Sequence, residues 1–570
     1  MSEIVFSSWG RKIVDNRKGG DTDLASLELK IPTEYLGDSK VGAFMGWDGV
    51  VLLDKDVDVV AMAAEYMKRV QEKHCCGKCT PGKKGTRVLQ DTLARIVEGH
   101  GEEKDLGIIE NLSSLLEDCK CTLCMTSVIP VLDTLKHFRD DYMAYISGGR
   151  KPKFAGSYHD KLTAPCMDRC PAHIDIPAYI EEIKNYRFDE SLAKVRERMP
   201  IAAVCGRVCP HPCETACRRA LVDEPISIMV LKRVASDHEW MHHKPAPKIT
   251  QPPTGKKVIV VGAGPAGLSC AYYLALAGHK VKIIEMLSEP GGTVAVGIPD
   301  YRMPRHLLQR EADNITALGV EIEYGVKLGV DVTLKELKAQ YDAVFLGTGC
   351  FKSKPMGVEG EDAGYEGFSS GGKNNKITGV EVIKMELGEP DDSGRRRPQP
   401  VKGSEYVIPC DMVIPAIGQD PDLSYLDDDD YNVQKTRWNS IKTSGGTMMT
   451  DDDGVFAGGD CEYGAMTVVL AVGHGKRAAS VMDRYLSEGK SLLNDEEALE
   501  DAVNRLGVFN SDEKVPVLGG LHREHQPKIS GAERAANYDE IELAMPESQA
   551  VVEADRCLRC YRVAMVATDK

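Results

Sequence analysis

Clustered cysteines constrain the fold of this chain more than any other feature of its sequence. Fourteen of the eighteen fall into three groups. The groups are Cys75, Cys76, Cys79, Cys119, Cys121 and Cys124; Cys166, Cys170, Cys205, Cys209, Cys213 and Cys217; and Cys557 and Cys560. The other four, Cys270, Cys350, Cys410 and Cys461, stand alone beside glycines or apolar residues and are predicted to be small buried side chains. Grouped cysteines in a chain of this size predict metal ligands rather than a disulfide framework.

Length and charge limit the remaining choices. The chain has 570 residues, which predicts several domains, and its net charge of −16 disfavours nucleic acid or an anionic membrane as the main partner. No run of 18 apolar residues occurs, so no membrane span is expected, and MSEIVFSSWG lacks the pattern of a signal peptide. We therefore expect a protein of the reducing cytoplasm.

The first cysteine group contains two Cys-x-x-Cys pairs, Cys76 with Cys79 and Cys121 with Cys124, separated by an amphipathic helical pattern. Each pair can bring two thiolates to one centre. The spacing predicts either a [4Fe–4S] cluster or a structural zinc ion and does not choose between them.

Residues 42–142, with MGWDGVVLLDKD, CCGKCTPGKKGT, CTLCMTSVIP and FRDDY, resemble the C-terminal part of the NADH-dehydrogenase flavoprotein subunit. The resemblance implies a ubiquitin-like β-grasp domain followed by a helical bundle with one [4Fe–4S] cluster. Cys76, Cys79 and Cys121 match the family's ligands, whereas Gly82 stands where the family has its third cysteine. Cys124 is the predicted replacement, with Cys75 and Cys119 as alternatives. The family's flavin-mononucleotide domain has no counterpart in this sequence.

The second group lies in APCMDRCPAHIDIPAYI and VCGRVCPHPCETACRR. A Cys-x3-Cys-Pro run is typical of ferredoxin-type ligation, in which neighbouring cysteines serve different clusters. These segments resemble the N-terminal helical domain of the glutamate synthase small subunit and of dihydropyrimidine dehydrogenase. The resemblance implies a helical domain with two [4Fe–4S] clusters.

That family carries a further segment, E-A-x-R-C-L-x-C, just before this region, but here it occurs at the far end of the chain as EADRCLRC. We infer that the C-terminal tail folds back to complete the site; the alternative is an exposed tail with an incidental Cys-x-x-Cys. The resemblance implies one cluster on Cys166, Cys217, Cys557 and Cys560. It implies a second cluster on Cys170, Cys209 and Cys213, with Cys205 as the predicted fourth ligand because Lys232, the nearest match to the family's ligand, is a cation.

A dinucleotide fingerprint follows a proline-rich linker, in KKVIVVGAGPAGLSCAYYLALAGHKVKIIE. Gly262, Gly264 and Gly267, with Pro265 and Ala266 between them, predict a strand–turn–helix that brings backbone N–H groups to a pyrophosphate. Glu285, at the end of the next strand, is predicted to accept from ribose hydroxyls. Alone, this pattern fits FAD or NAD(P).

Four more segments resemble two-dinucleotide-binding-domain flavoproteins: EPGGTV with Gly292, AVFLGTGC with Gly349, GVFAGGDC with Gly459 and Asp460, and the following AMTVVLAVGHG with Met466 and Thr467. The resemblance implies FAD, with Asp460 on its ribityl chain. GIPDYRMP resembles the glutamate synthase small subunit more closely. No Cys-x4-Cys follows Gly292, so a disulfide reductase is disfavoured.

The second βαβ unit, which in this family binds NAD(P)H, has no counterpart in the sequence. The chain passes from GVEGEDAGYEG to KITGVEV in about ten residues, and the insert is expected to be missing near 366–376. Either the domain was removed by engineering, for which the Ser-Ser-Gly-Gly linker composition speaks, or the natural protein lost it.

We therefore expect a multidomain protein of α/β and α regions, with a β-grasp domain at 1–70, a helical bundle at 71–148, a two-cluster helical domain at 149–250, a Rossmann-type FAD domain at 251–490 and a tail at 491–570. The predicted function is an oxidoreductase that passes electrons between NAD(P)H (in the complete parent), FAD, two or three [4Fe–4S] clusters and an acceptor. Another redox subunit or a ferredoxin-like protein is the expected partner, in an oligomer. One alternative is an electron-relay subunit without a substrate site; another is an FAD hydroxylase or amine oxidase, which would hold no iron.

Overall fold

The computed structural model describes most of the chain. The described residues are 4–20, 22–23, 29, 31–36, 39–117, 119, 121–244, 247–249, 251–357, 378–390, 396–427, 431–444 and 446–570. The predicted junction of the missing insert, residues 366–376, lies outside them. Two compact units are present: residues 1–349 with 423–570, and residues 350–422.

The strands, in chain order, are β1 Phe6–Ser7, β2 Val14–Asp15, β3 Glu34–Tyr35, β4 Ser39–Gly46, β5 Gly49–Leu52, β6 Ser157–Thr163, β7 Lys257–Val261, β8 Lys280–Glu285, β9 Glu321–Tyr324, β10 Ala343–Leu346, β11 Lys352–Ser353, β12 Gly379–Val382, β13 Met385–Pro390, β14 Arg396–Pro400, β15 Tyr406–Pro409, β16 Gln419–Asp420, β17 Val455–Ala457 and β18 Arg562–Thr568.

The α-helices are α1 Val59–Arg69, α2 Thr86–Val97, α3 Glu103–Glu117, α4 Thr122–Ser127, α5 Ile129–His137, α6 Arg139–Ile146, α7 Pro165–Asp168, α8 Ile176–Lys184, α9 Phe188–Arg196, α10 Ala202–Val208, α11 Pro212–Thr215, α12 Ile228–Met241, α13 Pro265–Leu276, α14 Thr293–Gly297, α15 Arg305–Thr316, α16 Leu334–Gln340, α17 Asp460–Tyr463, α18 Val468–Glu488, α19 Asp495–Asn504, α20 Gly531–Ala536 and α21 Glu547–Asp555. Short 3₁₀ turns occur at Trp9–Arg11, Asn16–Lys18, Arg218–Leu221 and Ser424–Leu426, and π-helical turns at Val70–His74 and Pro81–Gly85.

An antiparallel sheet near the N-terminus includes the last strand of the chain. Within the described residues it has seven strands, in the order β2-β1-β5-β4-β18-β6, with β3 beside β4. All seven residues of β18 are buried, because it lies between β4 and β6 and both of its faces are covered. Val563, Met565 and Ala567 point to the core shared with the helical bundle, while Ala564 and Val566 point to a core that includes Trp9 and Phe44.

This sheet extends beyond the predicted β-grasp bounds. Residues 1–70 supply β1 to β5, but β6 and β18 come from residues 157–163 and 562–568. The physical reason is that β4 would otherwise have a long unpaired edge, and β18 satisfies its backbone groups. The predicted tail at 491–570 is therefore part of the same compact unit as the N-terminal region.

Helices α1 to α6 pack against one face of this sheet and form the bundle that carries the first cysteine group. The two π-helical turns flank Cys75, Cys76 and Cys79. Such turns interrupt the regular hydrogen-bond ladder and are frequent at functional sites. A second helical region, α7 to α12, carries the cysteines from Cys166 to Cys217.

A further region consists of residues 257–349 and 423–488. Its sheet is parallel and, in the described residues, has five strands in the order β17-β10-β7-β8-β9. Helices α13 and α18 pack together against one of its faces. The parallel strands read as continuous apolar runs because both faces are covered.

Residues 350–422 form the second unit by themselves. Its strands pair as three antiparallel ribbons, β11 with β16, β12 with β15 and β13 with β14. Most of the side chains of these ribbons are exposed. Among the described helices of the whole chain, none combines the length and the apolar character that crossing a bilayer requires.

Candidate cofactor sites

The turn after β7 has the geometry of a pyrophosphate cradle. Gly262 has φ 102°, and a Cβ there would lie 2.5 Å from the carbonyl oxygen of Gly347. A Cβ on Gly267 would lie 1.9 Å from the carbonyl oxygen of Gly262, so the helix can approach the strand only if this residue is glycine. Gly264, the N-cap of α13, has open space where its Cβ would be. That space and the N–H groups in the first turn of α13, after Pro265, fit a dinucleotide phosphate.

The Glu285 side chain hydrogen-bonds to the backbone of the glycine turn. Its Oε2 accepts a hydrogen bond from Ala263 N at 2.6 Å, and its Oε1 accepts one from Leu287 N at 2.8 Å. The side chain is buried, with 4% exposure. The carboxylate thus fixes the turn, and its predicted contact with ribose hydroxyls would use its remaining lone pairs.

Two other glycine turns converge on the start of α13. A Cβ on Gly292 would lie 3.2 Å from Gly264 Cα, and a Cβ on Gly459 would lie 2.9 Å from Ala266 Cβ. Both glycines have positive φ, as has Gly349 at the end of β10. Gly264, Gly292 and Gly459 therefore lie together at the start of α13.

Asp460 begins α17 beside this site. Burial raises the pKa of its carboxyl above the usual range, and its Oδ1 accepts a hydrogen bond from Met466 N at 3.3 Å. Thr467 is the N-cap of α18, with its side chain accepting from Leu470 N. The predicted flavin residues Asp460, Met466 and Thr467 thus stand together at the N-terminus of α18.

Helix α18 contacts both the dinucleotide fold and the second cysteine group. A Cβ on Gly475 would lie 2.2 Å from the carbonyl oxygen of Ala266, so α18 packs directly on α13. A Cβ on Gly473 would lie 2.5 Å from the carbonyl oxygen of Pro171, the residue after Cys170. The helix at the flavin site therefore touches the loop of the next cysteine group.

A cavity next to that loop is lined by three predicted cluster ligands. Its walls include Cys170, Cys209, Cys213, Lys232 and Val469 of α18. Cys205 belongs to the same neighbourhood. Burial raises the pKa of its thiol, and the charges of Lys232, Cys209 and Cys170 are close enough to act on it as well. Cysteine thiols around a buried hollow fit an iron–sulfur cluster.

Lys232 is a buried cation facing these four cysteines. Burial lowers the pKa of its ammonium group, but Cys209, Cys205, Cys170 and Cys213 outweigh that effect and hold the pKa above its ordinary value. Lys232 therefore places a buried cationic side chain beside the four cysteines.

The C-terminal segment brings its two cysteines to the rest of their predicted group. Burial raises the pKa of the Cys166 thiol, and Cys217, Cys557 and Cys560 add to that rise. Burial likewise raises the pKa of Cys557 to about 12. Cys166, Cys217, Cys557 and Cys560 therefore lie near one another, with Cys217 buried and the other three half-buried. Cys166 packs against both of the two largest hydrophobic cores.

Arg218 links this site to the N-terminal bundle. Its Nη1 donates to Thr122 Oγ1 at 2.6 Å, and its Nη2 pairs with Glu513 at 2.6 Å. Hydrogen bonding and charge at Cys560 also raise the pKa of the guanidinium, although burial opposes them. Arg218 follows Cys217, and Thr122 follows Cys121, so one side chain spans the two cysteine groups.

In the first group, the sulfurs of Cys79, Cys121 and Cys124 all lie within 4.8 Å of one another. A hydrogen bond from Cys124 lowers the pKa of the Cys121 thiol to about 6, so this residue ionises readily to the thiolate that a metal needs. Three sulfurs at this separation suit an iron–sulfur cluster or a zinc ion. A Cβ on Gly82 would lie 3.0 Å from Cys79 Sγ and 3.2 Å from Cys124 Sγ.

The two adjacent cysteines 75 and 76 point in different directions. A Cβ on Gly82 would lie 3.4 Å from Cys75 Sγ, so Cys75 faces the same spot as Cys79 and Cys124. Cys76, a predicted ligand, is exposed and is not brought into the compact sulfur group. It lies near Arg559, whose pKa it helps to raise. Cys119 donates weakly to the Cys121 carbonyl at 3.6 Å.

Three of the nine described non-glycine residues with positive φ lie close to predicted cluster ligands. His173, His211 and Arg559 have positive φ values of 49°, 44° and 50°, and each lies within three positions of a predicted cluster ligand. Non-glycine residues in this conformation cost about 1–3 kcal/mol and persist at sites where the surroundings fix them. The prediction from sequence missed them, together with Arg218, Gly473 and Gly475; the sequence signals were the position of Arg218 and Arg559 next to cysteines and of His211 between Cys209 and Cys213.

The glycine cradle on a parallel sheet and the buried cysteine groups define a flavin and iron–sulfur oxidoreductase. Family models agree with this class along the chain. Residues 161–244 match dihydropyrimidine dehydrogenase domain II with its 4Fe-4S cluster, and residues 61–145 match the NADH-ubiquinone oxidoreductase-F iron–sulfur binding region. Residues 256–386 and 375–475 match pyridine nucleotide-disulphide oxidoreductases.

Whole-length relatives are similar as well. NADPH-Fe(3+) oxidoreductase subunit beta of Geobacter sulfurreducens is 50% identical over 674 aligned positions, which cover 100% of both chains. NADP(+)-dependent formate dehydrogenase subunit beta of Moorella thermoacetica is 36% identical, with 99% of each covered. The small chain of glutamate synthase [NADPH] from Escherichia coli K12 is 28% identical over 56% of this chain and 88% of its own length.

The chain belongs to the family of flavin- and iron–sulfur-containing oxidoreductase beta subunits that includes the Geobacter and Moorella proteins. The resemblances inferred from sequence to the NADH-dehydrogenase flavoprotein and glutamate synthase small subunits are confirmed. So are FAD and iron–sulfur clusters as its cofactors and electron transfer as its function. The name "subunit beta" implies that these relatives work together with another subunit.

A methyl group added at Gly267 should disrupt the glycine turn and weaken FAD binding. Gly267→Ala would force the new Cβ against the carbonyl oxygen of Gly262 and separate α13 from β7, so we expect the purified protein to lose most of its FAD. The FAD-to-protein ratio, from flavin absorbance after precipitation of the protein, measures this. Gly107→Ala, where a Cβ meets open space, is the matched control and should keep its flavin. Full FAD content in Gly267→Ala would contradict the assignment of the cradle.

Proposed function

We propose that this chain carries single electrons between a flavin on the dinucleotide-binding sheet and an iron–sulfur site in the N-terminal bundle, through two clusters held by the second and third cysteine groups. From the N-terminal site the electrons pass to or from a partner redox subunit. A bound flavin exchanges electron pairs as well as single electrons, and an iron–sulfur cluster exchanges one electron at a time. The protein holds these groups in order and sets their surroundings.

Continuous contact between the cofactor sites is the observation that carries this proposal. At one end, α18 starts at the flavin site, places Val469 in the cavity of the Cys170 group and packs Gly473 against Pro171. At the other end, Arg218 reaches from the Cys217 and Cys560 site to Thr122, beside Cys121. Cys166 also packs against both of the hydrophobic cores that contain the cysteine groups.

The proposed ligand groups follow from these positions. Cys170, Cys205, Cys209 and Cys213 would hold the cluster next to the flavin. Cys166, Cys217, Cys557 and Cys560 would hold the middle cluster. Lys232 would favour the reduced form of the cluster on Cys170, Cys205, Cys209 and Cys213, because a buried positive charge nearby stabilises the added electron.

Removal of the middle ligand set tests the order of the relay. In Cys560→Ser, we expect light-driven reduction of the flavin with EDTA to proceed as in the wild type, while the electron paramagnetic resonance signal of the N-terminal cluster appears at least about tenfold more slowly, since the intermediate site is lost. Cys410→Ser, outside all three groups, is the control. An N-terminal signal that grows at the wild-type rate in Cys560→Ser would contradict the proposed order.

For the N-terminal site we propose Cys75, Cys79, Cys121 and Cys124 as ligands, in place of a set with Cys76. Two observations support this set. The sulfur of Cys75 lies 3.4 Å from where a Cβ on Gly82 would be, next to the sulfurs of Cys79 and Cys124, and Cys76 is exposed.

Serine substitutions distinguish the two sets. Cys124→Ser and Cys75→Ser should each remove the N-terminal cluster signal from the reduced protein and lower its iron content, while Cys76→Ser should keep both. Iron analysis and electron paramagnetic resonance are the measurements. Loss of the signal in Cys76→Ser with retention in Cys75→Ser would show that the family's Cys-x-x-Cys pair holds the cluster.

The nicotinamide site lies, in our proposal, in a domain that this chain lacks. The alignment with the Geobacter relative spans 674 positions, 104 more than the 570 residues of this chain. A gap of that size supports the loss of a βαβ unit, whether by engineering or by natural deletion. For the chain as given, it favours an electron-relay subunit without its own substrate site.

Anaerobic NADPH and NADH test this point. We expect neither to bleach the flavin of this chain within minutes, whereas dithionite bleaches it fully, because among the described residues no second glycine cradle stands ready to hold a nicotinamide against the flavin. Stopped-flow flavin absorbance is the measurement, and protein with the family's insert restored is the positive control. Rapid bleaching by either nucleotide would refute the absence of a nicotinamide site.

A further inference from the structure

Two histidines project from the end of α12, away from the cofactor sites. His238 lies in the last turn of α12, and His242, four residues later, is the C-cap of that helix. Their ring centroids lie 4.3 Å apart. Histidines at this spacing on a helix are a common way to bind a transition-metal ion.

A carboxylate from another helix completes the group. Glu547 is the first residue of α21, and its Oε1 lies 2.6 Å from His238 Nδ1 and 4.0 Å from His242 Nε2. One donor atom from each of the three residues lies within 4.8 Å of the others. A zinc ion about 2 Å from each donor fits between atoms at such separations after small side-chain movements.

A hydrogen bond explains only part of this arrangement. The contact between His238 and Glu547 is a good hydrogen bond, but the 4.0 Å contact of His242 is too long to be one. His242 is therefore positioned toward the carboxylate without a direct bond to it, as expected of a ligand to an ion between them.

An aromatic ring and a carboxylate lie next to the His238 ring. Its second nitrogen, Nε2, faces Asp189 Oδ1 at 3.7 Å, which is too long for a direct hydrogen bond. Phe188 stacks on the ring at 4.9 Å, with an interplanar angle of 21°. Lys244 pairs with Asp189 at 2.7 Å and keeps that carboxylate in place.

We propose that His238, His242 and Glu547 bind a zinc ion. Two imidazole nitrogens and one carboxylate oxygen are a donor set that suits zinc better than magnesium or calcium, which prefer oxygen alone. The site lies at the protein surface, with His242 53% and Glu547 35% exposed, so water completes the coordination.

The ion would join two segments that are far apart in the chain. Glu547 starts the helix that leads to Cys557 and Cys560, and α12 carries Lys232 beside the other cysteine group. At the other end of α21, Glu553 already accepts hydrogen bonds from Ser227 N and Glu524 N. Zinc at its start would fix the second end of the helix that delivers two cluster ligands.

The experiment uses the full chain with its flavin and clusters, first dialysed against EDTA, and titrates it with zinc alone by calorimetry. We expect one saturable site, which weakens at least about tenfold in His242→Gln. His242→Gln leaves the hydrogen bond between His238 and Glu547 intact, so folding should be unaffected, and equal iron and FAD contents check this. His100→Gln, an exposed histidine elsewhere, is the matched control and should bind zinc as the wild type does.

Cobalt provides the second measurement. Bound at this site, it should give d–d absorption without thiolate-to-cobalt charge transfer, because the donors are nitrogen and oxygen. Zinc binding that is absent in the wild type, or equally tight in His242→Gln, would overturn the proposal, as would cobalt spectra with thiolate bands. The zinc and cobalt results do not depend on the proposed electron transfer, because none of the proposed cluster ligands belongs to the zinc site.

Discussion

The structure depends on the insertion of β18 between β4 and β6. Seven buried residues at the end of the chain complete a sheet that the N-terminal residues begin, with backbone hydrogen bonds to both neighbours. Tyr66 of α1 donates to the carbonyl oxygen of Val563 at 3.2 Å, which ties the strand to the bundle as well. Because Cys557 and Cys560 immediately precede β18, the same insertion that completes the sheet sets the position of two predicted cluster ligands.

The buried charged side chains next to these cysteines form ion pairs. Glu513 pairs with Arg218 at 2.6 Å and with Arg562 at 2.5 Å, and the arginine side chains are only 1% and 5% exposed. Loss of the carboxylate would leave two buried cations without a partner, at a cost of about 3–5 kcal/mol. The network joins the first residue of β18, the residue after Cys217 and, through Thr122, the start of α4. It fixes the positions of three cysteine-bearing segments relative to one another.

Sequence reasoning reached the local parts of this arrangement and missed those that depend on tertiary contacts. The Gly262 turn follows from steric rules that act within a few residues, and the return of Cys557 and Cys560 could be inferred because EADRCLRC is a recognisable segment in an unusual place. No such signal indicated that residues 562–568 would form a central strand, since RVAMVAT is equally compatible with other buried strands.

The cysteines of the bundle illustrate the same limit. Spacing alone favoured Cys76 together with Cys79, yet the π-helical turns on either side orient Cys75 toward Cys79 and Cys124 and leave Cys76 exposed. The bridge by Arg218 and the close packing of Gly473 on Pro171 join residues that are far apart in sequence. Neither could be read from a motif, because each depends on how separately folded segments meet.

The central claim is that the returned C-terminal strand allows the chain to hold three clusters in series beside one flavin. Counting iron and acid-labile sulfide per FAD in the purified chain, with electron paramagnetic resonance of the fully reduced protein, tests it most directly. The account predicts about twelve irons per FAD and signals broadened by magnetic interaction between neighbouring clusters. About eight irons or fewer, or sharp signals without interaction, would contradict it.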